Sequence, residues 1–291
     1  MFLVQIFAQI SPTESLEVDF SLYPAVIVLV YLSGIFSLLY WLIRTSCGIT
    51  ALTEARRRWN GMPFYLPFLI VFIWLAVATA ASRFVGMFTF EMSDWRQEFF
   101  TFLSIAVVEL VVIALMIVVA RRFFHRGLKG LGLNFRTIFA DGAAAVLNLV
   151  SVWPMVMGLL VIVLYLGSHF GGEDFQMQQN MGLEIILMYD NIWLRIFMVV
   201  FAVGITPIFE ELLFRGLFQT MLRNFNVGPW SSILLTSVVF ASLHPPMHLP
   251  ALLVSSVCIG YSYEKSGSLF RPIFIHLLFN GVSITFALLQ S

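Results

Sequence analysis

The stretch Trp193–Met221, WLRIFMVVFAVGITPIFEELLFRGLFQTM, is long and apolar enough to cross a bilayer, yet Glu210, Glu211 and Arg215 stand inside it. A spanning helix needs about 20 predominantly apolar residues. A charge near the bilayer centre costs at least ~2.5–3.5 kcal/mol, so charges placed there are paired or functional. Two later apolar runs carry polar residues of their own, Phe240-Ala241-Ser242-Leu243-His244 and His276-Leu277-Leu278-Phe279-Asn280. Two carboxylates, two imidazoles and an amide, distributed over separate hydrophobic helices, point to a buried catalytic site.

The rest of the chain is of the same kind. Hydrophobic residues make up 60% of it and charged residues only 11%, against about a quarter charged in soluble domains. The fold class expected is all-α, a polytopic transmembrane helix bundle. Apolar runs fall at roughly 22–43, 64–86, 99–120, 141–168, 193–221, 229–246, 248–263 and 269–289, giving about eight spans. The sixth and seventh are short and are joined by a turn with Pro245, Pro246 and Pro250. Kinks are expected at Pro154 and Pro207, since proline removes a backbone donor and crowds the turn before it. The apolar residues 1–10 lack a basic flank and are expected to lie at the interface rather than to be a cleaved signal.

Loop charges alternate along the chain. Basic loops carry Arg44 and Arg56–Arg58, then Arg121, Arg122, Arg126, Lys129 and Arg136, then Arg223, then Lys265 and Arg271. Between them stand acidic loops with Glu14, Glu17 and Asp19, then Glu91, Asp94 and Glu98, then Glu173, Asp174, Glu184 and Asp190. The positive-inside rule assigns the basic set to the cytoplasm. The net charge is zero and no basic face is concentrated, so no nucleic-acid partner is expected. The partner is the lipid bilayer, in the cytoplasmic membrane of a prokaryote or otherwise an endomembrane. Cys47 and Cys258 are far apart and do not form a disulfide framework.

Helical spacing sorts the polar residues. Glu211 and Arg215 are four apart and share a face, so they can form an ion pair. Glu210 is rotated about 100° from Glu211 and is free to point elsewhere, which makes it the candidate general base. Thr206-Pro207 resembles an N-cap with proline at the first helical position, which would put Glu210 near a helix start. His244 ends its helix because two prolines follow. His276 and Asn280, four apart, project from one face and can donate together to a developing oxyanion. A structural polar network between helices is the competing reading of each residue taken singly. Glu109 and Arg83 are expected to pair with each other. His248 is expected to be boundary scenery beyond the double proline.

Taken in order, Glu210-Glu211-x-x-x-Arg215, Phe240-x-x-x-His244 and His276-x-x-x-Asn280 resemble the CPBP (Abi) intramembrane protease family, which includes the CAAX prenyl endopeptidases. Gly260, Tyr263, Gly267-Ser268-Leu269 and Pro272 are similar to that family's run before its last motif. The resemblance covers roughly 193–290 with no departure at the core positions. It implies residues 191–291 as a catalytic helical core and 1–190 as divergent transmembrane helices, together one integrated membrane domain. It also implies a glutamate-dependent endopeptidase acting on a membrane-associated or membrane-embedded peptide or protein substrate. Glu210 and His244 would activate water, His276 and Asn280 would stabilise the oxyanion, and Glu211 and Arg215 would support the first motif, with no cofactor.

Two alternatives stand beside this. Glu210, His244 and His276 could form a His₂Glu zinc site with one open position, as zinc hydrolases use, although the His-Glu-x-x-His helix is absent. A non-enzymatic immunity or scaffold protein would use the same polar network only for packing. A transporter is less favoured, since no inverted repeat is visible.

Overall fold

The computed structural model describes residues 23–55, 57–170 and 181–289. The interfacial segment 1–10, the acidic residues Glu14, Glu17, Asp19, Glu173 and Asp174, and Arg56 lie outside the described residues. The chain is all-helical: α1 Tyr23–Arg44, α2 Leu66–Thr89, α3 Asp94–Phe123, a single turn α4 Leu128–Leu131, and α5 Ile138–Phe170. Then follow α6 Met181–Met188, a long composite helix α7 over Ile192–Asn224, α8 Pro229–Ser242, α9 Leu249–Ser266 and α10 Phe270–Leu288. Helix α5 packs along α1, α9 and α10, while α2 lies against α3 and α8 against α9.

Among the described residues six helices are long and apolar enough to cross a membrane: α1, α2, α3, α5, α7 and α10. The chain is therefore a multi-pass integral membrane protein, with six such spans rather than about eight. The difference falls on α8 and α9. Helix α8 is apolar but has only 14 residues, because it stops at Ser242 ahead of the double proline. At 1.5 Å per residue it rises about 21 Å, short of the ~30 Å hydrocarbon core. Helix α9 ends in Glu264, Lys265 and Ser266, which shorten its apolar part. Pro154 sits inside α5 without ending it.

The basic loops gather at one end of the bundle. Arg58 and Arg223 flank the buried Glu264 carboxylate at 3.7 and 3.6 Å, and Lys265 donates to the Ala51 carbonyl at 2.9 Å. The Arg58 guanidinium also lies 3.5 Å over the Tyr263 ring, whose hydroxyl donates to Leu131 O at 2.8 Å. These contacts join the loop after α1, the α4 turn, the end of α7 and the end of α9.

One glycine makes this closure possible. Gly132 has φ +108°, and a Cβ there would stand 2.8 Å from both Gly267 O and Leu269 N. Its carbonyl accepts from Leu269 N at 2.9 Å, which sets where α10 begins and so where His276 lies. Gly132→Ala is expected to cost about 1–2 kcal/mol in backbone conformation and about 1–3 kcal/mol more from overpacking against backbone that cannot yield. Gly61→Ala, where a Cβ meets nothing within 4 Å, should change stability by no more than about 0.5 kcal/mol. Thermal unfolding of both variants in one detergent tests the difference.

Candidate active site

Helix α7 carries the carboxylates, and its backbone is irregular where they sit. Residues Phe201–Ile205 form a π turn in which Thr206 N–H donates to Phe201 O, five residues back. Continuing that register would pair residue 207 with Ala202 O, but Pro207 has no N–H to give. Asn280 Nδ2, from α10, donates to Ala202 O at 2.9 Å instead. Thr206 has helical backbone angles (φ −60°, ψ −45°) and its hydroxyl donates to Glu109 Oε2 on α3 at 3.0 Å. Thr206-Pro207 is therefore not an N-cap: α7 runs through it, and Glu210 has no helix start beside it. The π turn absorbs the proline, so the helix does not break. A second π stretch, Leu212–Gln219, follows Glu211. Such turns inside α-helices occur frequently at functional sites.

Glu211 and Arg215 form the ion pair that their spacing requires, with Arg215 Nη1 donating to Glu211 Oε1 at 2.8 Å and both side chains fully buried. The remaining guanidinium edge donates to Ser256 on α9, to Oγ at 2.7 Å and to the carbonyl at 3.3 Å. Its face lies 5.0 Å from the Phe240 ring of α8. His276 completes the cluster. Its Nδ1 is 2.7 Å from Glu211 Oε1; a carboxylate only accepts, so Nδ1 carries the proton and donates. Its Nε2 then faces Glu210 Oε2 at 3.6 Å. A carboxylate behind an imidazole fixes the ring's tautomer and direction. Glu210 is the less committed acid: its side chain is 19% exposed and has no arginine partner.

His244 lies two residues beyond the end of α8. Its Nδ1 donates to Phe240 O at 2.9 Å, which in the neutral ring leaves Nε2 as an acceptor. Phe240 touches both histidines, with ring centroids 4.8 Å from His244 and 5.9 Å from His276. His244 is half-buried, against Phe240 one turn back. His248 lies in the 3₁₀ turn Pro246–His248. An apolar groove of about 610 Å³ runs between α5, α7 and α10, lined by Val146, Val203, Leu277 and Gly281 among others and by none of the site's polar residues.

Glu210, Glu211, Arg215 and His276 thus meet directly, with His244 and Asn280 around them. Glu109 is buried at 2% exposure and bonds Thr206, whereas Arg83 is exposed; the pair expected between them is not formed. Among the described residues no group of three or more His, Cys, Asp or Glu side chains is arranged to hold a metal ion, so Glu210, His244 and His276 do not make such a set. Ser256 and Glu109 are the polar partners that motif spacing did not reveal. The signal for Ser256 was arithmetic: a buried guanidinium has five donors, and one glutamate cannot satisfy them.

Comparison with known proteins bears on the same helices. Residues 191–282 match the family described as Rce1-like, type II CAAX prenyl endopeptidase Rce1-like, a stretch that runs from just before α7 into α10. Neither the curated proteins nor the solved structures compared with the chain give a match. The matched stretch contains all three polar motifs, and residues 191–282 are an Rce1-like type II CAAX prenyl endopeptidase (CPBP) family domain.

Proposed function

We propose that this protein is an intramembrane endopeptidase that hydrolyses a peptide bond of a membrane-associated or membrane-embedded substrate. The observation that carries this reading is His276 held between two carboxylates of α7, one neutralised by Arg215 and the other left free. In the proposed reaction Glu210, assisted by Nε2 of His244, takes a proton from water while its oxygen bonds to the substrate carbonyl carbon. The tetrahedral oxyanion accepts from Nε2–H of His276, in the doubly protonated ring, and from the second Nδ2 hydrogen of Asn280. Collapse breaks the C–N bond, and the leaving amine takes the proton back from Glu210. Each step needs the acid–base and oxyanion roles such groups supply elsewhere. Residues 191–291 are the catalytic core in this reading, and 1–190 the divergent helices that enclose it.

The test is cleavage of a panel of membrane peptides by the purified protein in water enriched in ¹⁸O, with and without a strong chelator. We expect one heavy oxygen in the new carboxylate and undiminished cleavage in chelator. Loss of activity in chelator with recovery on zinc addition would move the same residues to a metal mechanism. No cleavage of any peptide by folded protein would leave the network a packing device.

A further inference from the structure

We infer that Glu109, on α3 and outside the matched stretch, is a positioning residue of the site; this rests on reading Glu210 as the base. Glu109 lies mid-helix in a strongly apolar span, 2% exposed, where an ionisable side chain is costly unless used. It accepts the Thr206 hydroxyl at 3.0 Å. Thr206 is the residue at which α7 leaves the Phe201–Ile205 π turn, and Glu210 stands four residues further on.

That turn is held at two points from two different helices. Asn280 of α10 takes the Ala202 carbonyl that Pro207 cannot serve, and Glu109 of α3 takes the Thr206 hydroxyl. A π turn is a one-residue excess, and sliding it along α7 beyond Glu211 would rotate the carboxylates it passes by about 100°. Two side-chain ties, at Ala202 and at Thr206 just before Pro207, oppose that slide. Helix α3 packs directly on the Thr206–Glu211 segment, so the tie is short and direct.

Two measurements test this on the full-length protein. In the peptide-cleavage assay, Glu109→Leu and Thr206→Val should each lower kcat by about 10- to 100-fold, the range set by a ~1 Å displacement of a reacting group, with KM nearly unchanged. The double variant should be no worse than either single one, since both remove the same bond. Glu109→Gln, which still accepts the hydroxyl through its amide oxygen, should keep most of the activity. The second measurement needs no activity: labelling of Glu210 by a membrane-soluble carbodiimide, read by peptide mass spectrometry. Its rate should change severalfold in Glu109→Leu and Thr206→Val and little in Glu109→Gln. Equal labelling changes in Glu109→Gln and Glu109→Leu would make the effect one of charge and overturn the positioning role. Additive losses in the double variant would overturn it as well. Changed labelling together with an active Glu210→Gln enzyme would keep the tie and discard Glu210 as the base.

Discussion

Glu210→Gln is expected to lower kcat by about 10²–10⁴, the usual contribution of a general base, while the protein remains folded. The amide keeps the size of the side chain and removes its basicity. The fold should tolerate the change because Glu210 makes no short ion pair: its nearest charged partner is His276 Nε2 at 3.6 Å. Purified variant and parent should therefore give the same yield and the same thermal midpoint in one detergent, and differ only in turnover. A folded Glu210→Gln enzyme with full turnover would remove Glu210 from the mechanism.

Arg215→Ala is expected to act in the opposite way, through stability. It leaves the Glu211 carboxylate charged and fully buried, and breaking a buried pair by removing one partner costs about 3–5 kcal/mol. Ser256 loses its partner at the same time. Removing both charges together, as Glu211→Leu with Arg215→Leu, should recover much of that stability, since a well-packed apolar pair often replaces a buried ion pair without loss. Activity should not return. His276 donates its Nδ1–H to Glu211, and without that acceptor nothing fixes the ring toward Glu210. Unfolding in detergent and peptide cleavage, measured on both variants, separate the two effects. Restored turnover in the double leucine variant would mean that Glu211 does not orient His276.

The parts of this site that could be read from the sequence were those decided within one helix. The Glu211–Arg215 pair followed from a spacing of four, and His244 was placed by the two prolines that stop α8. The last span, expected at 269–289, is α10 at Phe270–Leu288. What escaped depended on partners from elsewhere in the chain or on a change of helical period. Helical periodicity assumes 3.6 residues per turn, so two π stretches inside α7 are invisible to it, and Thr206-Pro207 was read as a helix start. Glu109 was matched with Arg83 because both were intramembrane charges, yet the true partner is an uncharged hydroxyl on α7. The count of spans differs where the run 229–246 was carried through Pro245, whereas α8 stops at Ser242. Hydropathy measures composition; it does not see where the hydrogen-bonded helix stops.

The order of synthesis gives the Glu211–Arg215 pair a second significance. Chains emerge from the N-terminus at roughly 5–20 residues per second, and 65 positions separate Glu211 from His276. Helix α7 therefore exists for about 3–13 s before the ribosome has made its imidazole partner. During that interval two carboxylates and a guanidinium must enter the bilayer unaided by α10. The pair is complete within a single turn of one helix, so most of the charge is neutralised as soon as that turn forms. His276 arrives later, at a carboxylate already held in place, and the last helix closes the site.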